Sequence, residues 1–201
     1  MDIINKLLGN SLIFSLWSAP LNRQKMYFLH QIMPDIHNVK VLDVGCGPAS
    51  NTFLFDSCDY TGIDINPDYI AYARKLYPKK KFFVKDVTAL DMGKDKFDII
   101  YINALFHHLT DEDIHTMLSQ LNNILESDGN ILIIEPLTPP SHKFLQTVLM
   151  KLDRGKYYRS DEEYHKLVEP MFSIRNEGVF PLKCFALTGW LQLAMCVEKK
   201  N

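Results

Sequence analysis

The chain has 201 residues, 47% hydrophobic and 23% charged, with a formal net charge of −2. That fits one domain with a full core, gives no electrostatic case for nucleic acid, and leaves no stretch near the ~18 apolar residues of a membrane span. The four cysteines, Cys46, Cys58, Cys184 and Cys196, form no CxxC pair and no metal-ligand spacing, so reduced thiols, no metal and a cytoplasmic setting are expected.

Near the start, Lys6, Leu7-Leu8 and Leu12 to Trp17 faintly imitate a secretory leader. Asp2, Gly9, Asn10, Ser11 and Ser15 count against it. Residues 3–17 and 20–33 read instead as two amphipathic helices. Ile4, Leu7, Leu8, Leu12 and Leu16 mark the first, and Met26, Leu29 and Met33 the second. Pro20 suits a first helical turn and Pro34 ends the segment. Such helices either cover the open end of a following sheet or pack on its flank.

The chain is organised around Val39 to Ala49. A β-branched run ends in Asp43, and Gly45 and Gly47 follow at once. This reads as a buried strand entering a turn too tight for side chains, with backbone N–H groups presented to a polar or anionic ligand group. In open α/β sheets such ligands sit beyond the carboxyl ends of the strands. A short helix over 49–56 is expected next, then a strand Tyr60–Ile65 carrying Asp64, 21 residues after Asp43. An acid there suits ribose hydroxyls. Asn66 and Pro67 open a helix with Ile70, Ala73 and Tyr77 on its buried face, and Pro78 stops it. Lys79-Lys80-Lys81 reads as a solvated loop.

A third strand, Phe82–Val87, brings a third acid, Asp86. A fourth, Phe97–Ile102, is followed by Asn103, then Ala104 to Asp111 with His107 and His108. Thr110 and Asp113 have capping-box spacing before a helix to residue 126, so Asp111-Glu112-Asp113 reads as helix-start chemistry rather than a metal site. Gly129–Glu135 is a fifth strand. Strands alternating with helices predict a doubly wound, mostly parallel α/β sheet. Pro136, Pro139 and Pro140 end the alternation. A helix at 141–152, a basic and aromatic cluster (Arg154, Lys156, Tyr157, Tyr158, Arg159), a helix opened by Ser160 and Glu163, and strands at 172–179 and 190–197 complete the chain.

The string Val41-Leu42-Asp43-Val44-Gly45-Cys46-Gly47-Pro48 fits [D/E]-x-G-x-G fully. It fits the dinucleotide fingerprint G-x-G-x-x-G only in part, because Ser50 stands at the sixth position and Pro48 lies inside the turn. Together with Ala104 to Asp111, it resembles the class I S-adenosylmethionine (SAM) methyltransferases of small-molecule type, over about residues 36–135. One departure is Ala49, where a third glycine is often found. The resemblance implies a Rossmann-like seven-stranded sheet with an antiparallel last strand. The expected layout is a single domain: a helical cover (1–35), a SAM-binding core (36–135), a helical insertion (136–170) and C-terminal strands (171–201). It also implies that Asp43, Gly45 and Gly47 hold the methionine part, Asp64 and Ile65 the ribose side, Asp86 and Val87 the adenine, and the Asn103 carbonyl the amino group.

His107 and His108 lie where a general base is useful, with His108 preferred; a structural role for either stays open. Arg154, Tyr157 and Tyr158 are candidates for binding the acceptor, against an anchored solvated turn. His115 and His165 read as structural. A small-molecule acceptor is expected, with no nucleic-acid partner. The rival readings are a nicotinamide-dependent oxidoreductase and a SAM-binding protein that transfers nothing. The acceptor's identity and the oligomeric state are not encoded in any motif.

Overall fold

The computed structural model describes residues 22–33, 36–138, 155–184 and 187–200. The strands are β1 Lys40–Val44, β2 Asp59–Asp64, β3 Lys81–Val84, β4 Phe97–Asn103, β5 Leu125–Pro136, β6 Phe172–Cys184 and β7 Leu187–Lys199. They form one sheet in the order β3-β2-β1-β4-β5-β7-β6. β1 to β5 are parallel, and β7 runs antiparallel to both β5 and β6. The helices among the described residues are α1 Asn22–Ile32, α2 Pro67–Leu76, α3 Asp111–Ile124 and α4 Asp161–Val168. The mixed α/β sheet expected from the sequence is therefore present. Its strand order reverses between β1 and β4, and a crevice opens beyond their carboxyl ends.

Alternation along the strands makes two cores. Leu42, Val44, Ile100, Ile102, Ile131 and Ile133 face α3 and α4, which contribute Ile114, Leu118, Leu121, Tyr164 and Val168. Val41, Ile99, Tyr101, Leu132 and Ile134 face α1 and α2, with Leu29, Ile32, Ile70 and Ala73. A central sheet covered on both faces needs such unbroken apolar runs.

Local chemistry sets the boundaries. The Asn66 side chain accepts the N–H groups of Asp68 and Tyr69 at 2.9 and 3.4 Å, and Pro67 fixes the first turn of α2. Capping boxes start α3 at Thr110/Asp113 and α4 at Ser160/Glu163. α1 buries Leu29 and Ile32, but Met26 is exposed, so the expected stripe is shifted around the helix. The expected helix over 49–56 is only a 3-10 turn, Thr52–Phe55, because Ala49 lies in the left-handed region at φ +66° and breaks helical propagation. β3 ends at Val84, short of the expected Val87. The Lys85 N–H makes its last bond to the Asp64 carbonyl at 3.0 Å, and Asp86 instead caps a 3-10 turn. β5 begins at Leu125, before the expected Gly129, with a register shift opposite Phe97/Ile99. The last two strands extend the expected hairpin to 172–184 and 187–199. The helices expected at 3–17 and 141–152 lie outside the described residues.

His165 ties α4 to β6. Its Nδ1 lies 2.9 Å from the Asp161 carbonyl and its Nε2 lies 2.8 Å from Glu177. Burial works against the cation, but these acceptors outweigh it and hold the imidazole pKa above its usual value. A raised folded-state pKa stabilises the fold below the unfolded pKa, and that gain is lost as pH rises through the folded one. His165→Gln should therefore lower Tm more at pH 5.5 than at pH 8.5 in paired thermal melts. Separately, Thr110→Ala removes the α3 cap, and it should cost about 1 kcal/mol, or roughly 2–4 °C in Tm by calorimetry.

Candidate functional site

The crevice beyond β1 and β4 is a cavity of about 410 Å³, within the range of small-ligand sites. Its floor is the turn after β1. Gly45 and Gly47 have φ +72° and +54°, a conformation that carries a Cβ only at a cost. The Gly45 and Cys46 N–H groups donate to the Ile63 carbonyl at 2.8 and 2.9 Å, which holds the turn against β2. At Gly45 a Cβ would come within 3.0 Å of Leu105, whereas at Gly47 it would point into open space.

Asp64 stands at the rim. Its Oδ2 accepts the Gly47 N–H at 2.9 Å and its Oδ1 accepts the Asn66 N–H at 2.8 Å. Two fixed backbone donors thus aim one carboxylate of the cavity lining. Beside it, Ile65 is 66% exposed, an apolar surface facing the same space. Asp86 accepts the Thr88 N–H and Oγ1 at 2.8 and 2.7 Å, both on Oδ1. The Thr88 bonds lower its carboxyl pKa, so it stays anionic over a wide pH range. Asp86 and Val87 line the same cavity as Gly45 and Gly47. Two buried polar atoms in the lining, Ser50 Oγ and Asn103 Oδ1, have no hydrogen-bond partner.

Asp43 is not in the lining. It lies beneath the floor, 1% exposed, and accepts the Tyr60 hydroxyl at 2.6 Å, while Thr52 donates to that hydroxyl at 3.0 Å. Burial first, and the Asp43 charge second, push the Tyr60 hydroxyl, the Cys46 thiol and the Tyr101 hydroxyl well above their ordinary pKa values. All three are therefore neutral, and Asp43 is buried among them, off the cavity lining.

The two histidines diverge. His108 lines the cavity. His107 is 2% exposed and does not, because its Nδ1 is paired with Glu135 Oε2 at 3.0 Å. Their rings lie 4.2 Å apart. Tyr158 and Tyr157 also stay off the lining: Tyr158 packs on the His107 ring at 5.1 Å, and Tyr157 lies exposed under Arg159. Arg154 lies outside the described residues. Arg159, from the basic cluster, is taken as well. It donates to Asp111 from Nε and Nη2, to the Phe106 and Tyr157 carbonyls from Nη1, and to the Leu109 carbonyl from Nη2. A guanidinium has five donors, and all are used here.

Sequence reasoning gave no role to Glu135, which is fully buried at the end of β5. The signal was present, since it is one more acid closing a β-branched run at the same sheet edge. Cys46, Ser50, Tyr69, Leu105 and Leu109 of the lining were also missed. Small and apolar residues carry no motif of their own.

Residues 41–129 match the family model described as a methyltransferase domain. The chain is 31% identical over 158 residues to a trans-aconitate 2-methyltransferase of Rhodopseudomonas palustris (strain BisB5), covering 75% of this chain and 59% of that protein. It spans about 60% or less of the length of the first curated relatives it matches. The fold is shared with a TehB-like SAM-dependent methyltransferase from Corynebacterium glutamicum, at TM-score 0.67, 18% identity, and coverage of 94% of this chain and 98% of that one. It is shared also with 1,6-didemethyltoxoflavin-N1-methyltransferase of Burkholderia thailandensis, solved with S-adenosylhomocysteine, at TM-score 0.68, 21% identity, and coverage of 90% and 79%. The chain thus carries a match to the methyltransferase domain over residues 41–129, and its acid-flanked glycine turn stands at the switch point of a sheet whose fold it shares with S-adenosylmethionine-dependent methyltransferases.

Proposed function

We propose that this cavity binds S-adenosylmethionine and that the chain transfers its methyl group to a small-molecule acceptor by in-line displacement. The observation that carries the proposal is the Asp64 carboxylate, aimed by the Gly47 and Asn66 N–H groups over an open, left-handed glycine turn. When bound, S-adenosylmethionine supplies a methyl group already activated on a sulfonium, so the protein's task is alignment and exclusion of water.

The roles follow from the lining. Asp64 accepts both ribose hydroxyls, and Ile65 covers the sugar and base with apolar surface. Asp86 and the Val87 N–H take the polar edge of the adenine. Gly45 and Gly47 leave room for the methionine part to approach the backbone. The Asn103 carbonyl and its unpartnered Oδ1 receive the ammonium, whose charge Asp43 favours from below the turn. His108 is the base for an acceptor that must lose a proton. Tyr157 and Tyr158 serve the acceptor side, while Arg154 and most of the cover expected over residues 1–35 lie outside the described residues. The relatives' name makes a polycarboxylate the first acceptor to try.

Among the described residues no helix is long and apolar enough to cross a membrane, and no cluster of His, Cys, Asp and Glu is fit to hold a metal ion. The chemistry proposed requires neither.

Isothermal titration tests the cofactor. S-adenosylhomocysteine should bind the wild type. Asp64→Ala, losing two hydrogen bonds to a charged acceptor, should weaken it on the order of a hundredfold. Binding of NAD instead, with no heat from S-adenosylhomocysteine, defeats the proposal. His108→Ala should keep that affinity within about threefold while lowering transfer to a carboxylic-acid panel by about 10²–10⁴, read as product S-adenosylhomocysteine. Unchanged turnover in this variant removes His108 from the chemistry. Tight binding with no product from any acceptor favours the non-catalytic reading.

A further inference from the structure

Glu135 does more in the fold than meet a histidine ring. Its Oε1 accepts the Leu105 and Phe106 N–H groups at 2.7 and 2.8 Å, and its Oε2 meets His107 Nδ1 at 3.0 Å. β4 has ended by then. The Ala104 N–H makes one more bond to the Ile134 carbonyl at 2.8 Å, and Ala104 turns into the left-handed region at φ +55°. From there the backbone has no strand to pair with. The carboxylate replaces the missing ladder for two residues, and buried N–H groups left without it would be costly.

What it holds is one wall of the cavity. Leu105, the first residue whose N–H it accepts, lines the cavity and packs over Gly45. His107, held through its ring, packs at a tilt against His108 of the lining.

The same loop is the docking point of the chain returning at Gly155. The His107 carbonyl accepts the N–H groups of Lys156 and Tyr157, both at 2.9 Å. Gly155 lies so close on the His107 imidazole that a Cβ would fall 2.1 Å from Cδ2, so only glycine fits. Arg159 then fastens the returning strap to the Phe106 and Leu109 carbonyls. One buried carboxylate therefore sets a loop with two customers, the cavity on one side and residues 155–159 on the other.

We infer that Glu135, acting through His107, is a positioning residue that couples filling of the cavity to docking of the 155–159 strap. This rests on the cofactor reading above. A ligand that orders Leu105 and His108 also orders the His107 carbonyl, so it tightens the strap without touching it.

Hydrogen exchange by mass spectrometry on the full chain, with and without S-adenosylhomocysteine, tests this. In the wild type the ligand should slow exchange of the Lys156 and Tyr157 amides severalfold, although neither residue lines the cavity. Glu135→Ala should weaken S-adenosylhomocysteine at least tenfold by titration and abolish the change at 156–157, and Glu135→Gln, which keeps an acceptor for the two N–H groups, should recover most of both. Leu167→Ala, a buried change in α4, should lower Tm yet keep the affinity and the exchange response. Should Glu135→Ala fail to fold, the wild-type exchange measurement decides alone. Bound ligand with unchanged exchange at 156–157, or a folded Glu135→Ala with wild-type affinity, overturns the positioning role. No ligand heat with the wild type ends the cofactor reading, and this role falls with it.

Discussion

Everything at the site depends on one attachment, the hold of β2 on the turn that leaves β1. The Ile63 carbonyl takes the Gly45 and Cys46 N–H groups, and the Asp64 carboxylate takes that of Gly47. Without these bonds the left-handed turn would have nothing to offset its conformational cost. With them the turn lies flat across the sheet edge, and Asp64 acquires a fixed direction from the very loop it steadies. The floor and the rim of the cavity are thus parts of one hydrogen-bonded unit. Gly62 fits this arrangement from below, since a Cβ there would sit 2.9 Å from Cys46 Sγ and 2.8 Å from the Phe82 ring.

Charge is distributed in depth. Asp64 and Asp86 face the cavity, while Asp43 is sealed beneath it by Tyr60 and Thr52. A carboxylate in that position acts at short range through little intervening solvent, so its influence on the turn is stronger than that of a surface acid. Burial, with Asp43 adding to it, also keeps the neighbouring thiol and phenols protonated. On the other wall, Glu135 is buried in the same manner. Asp64 and Glu135 each hold backbone N–H groups of the loop that follows a neighbouring strand.

The sequence was most legible where backbone geometry dictates residue type. Gly45 and Gly47 announced a turn that only glycine adopts easily, and Asn66-Pro67 and Thr110/Asp113 announced helix starts. Asp64 and Asp86 were legible because an acid after an apolar run has few reasons to be there. What could not be read was which way a side chain turns after its strand ends. Asp43 and His107 carry the same local signature as Asp64 and His108. Their burial is decided by partners distant in sequence: Tyr60 for Asp43, and Glu135 and Gly155 for His107. Arg159, read only as part of a basic and aromatic cluster, is a further case. Its five hydrogen bonds go to four acceptor atoms, three of them on residues 106–111 and one on Tyr157, and no local pattern links them.

That arginine has a consequence for motion. A guanidinium bonded at every donor to carbonyls and a carboxylate cannot let go of one partner cheaply, because a buried donor left bare costs nearly as much as the bond it lost. The latch at Arg159 therefore favours two states, shut or fully sprung, over gradual fraying. A segment fastened in that way opens as a unit, and its opening sets a discrete event in the life of the folded chain, with its own rate and its own temperature dependence.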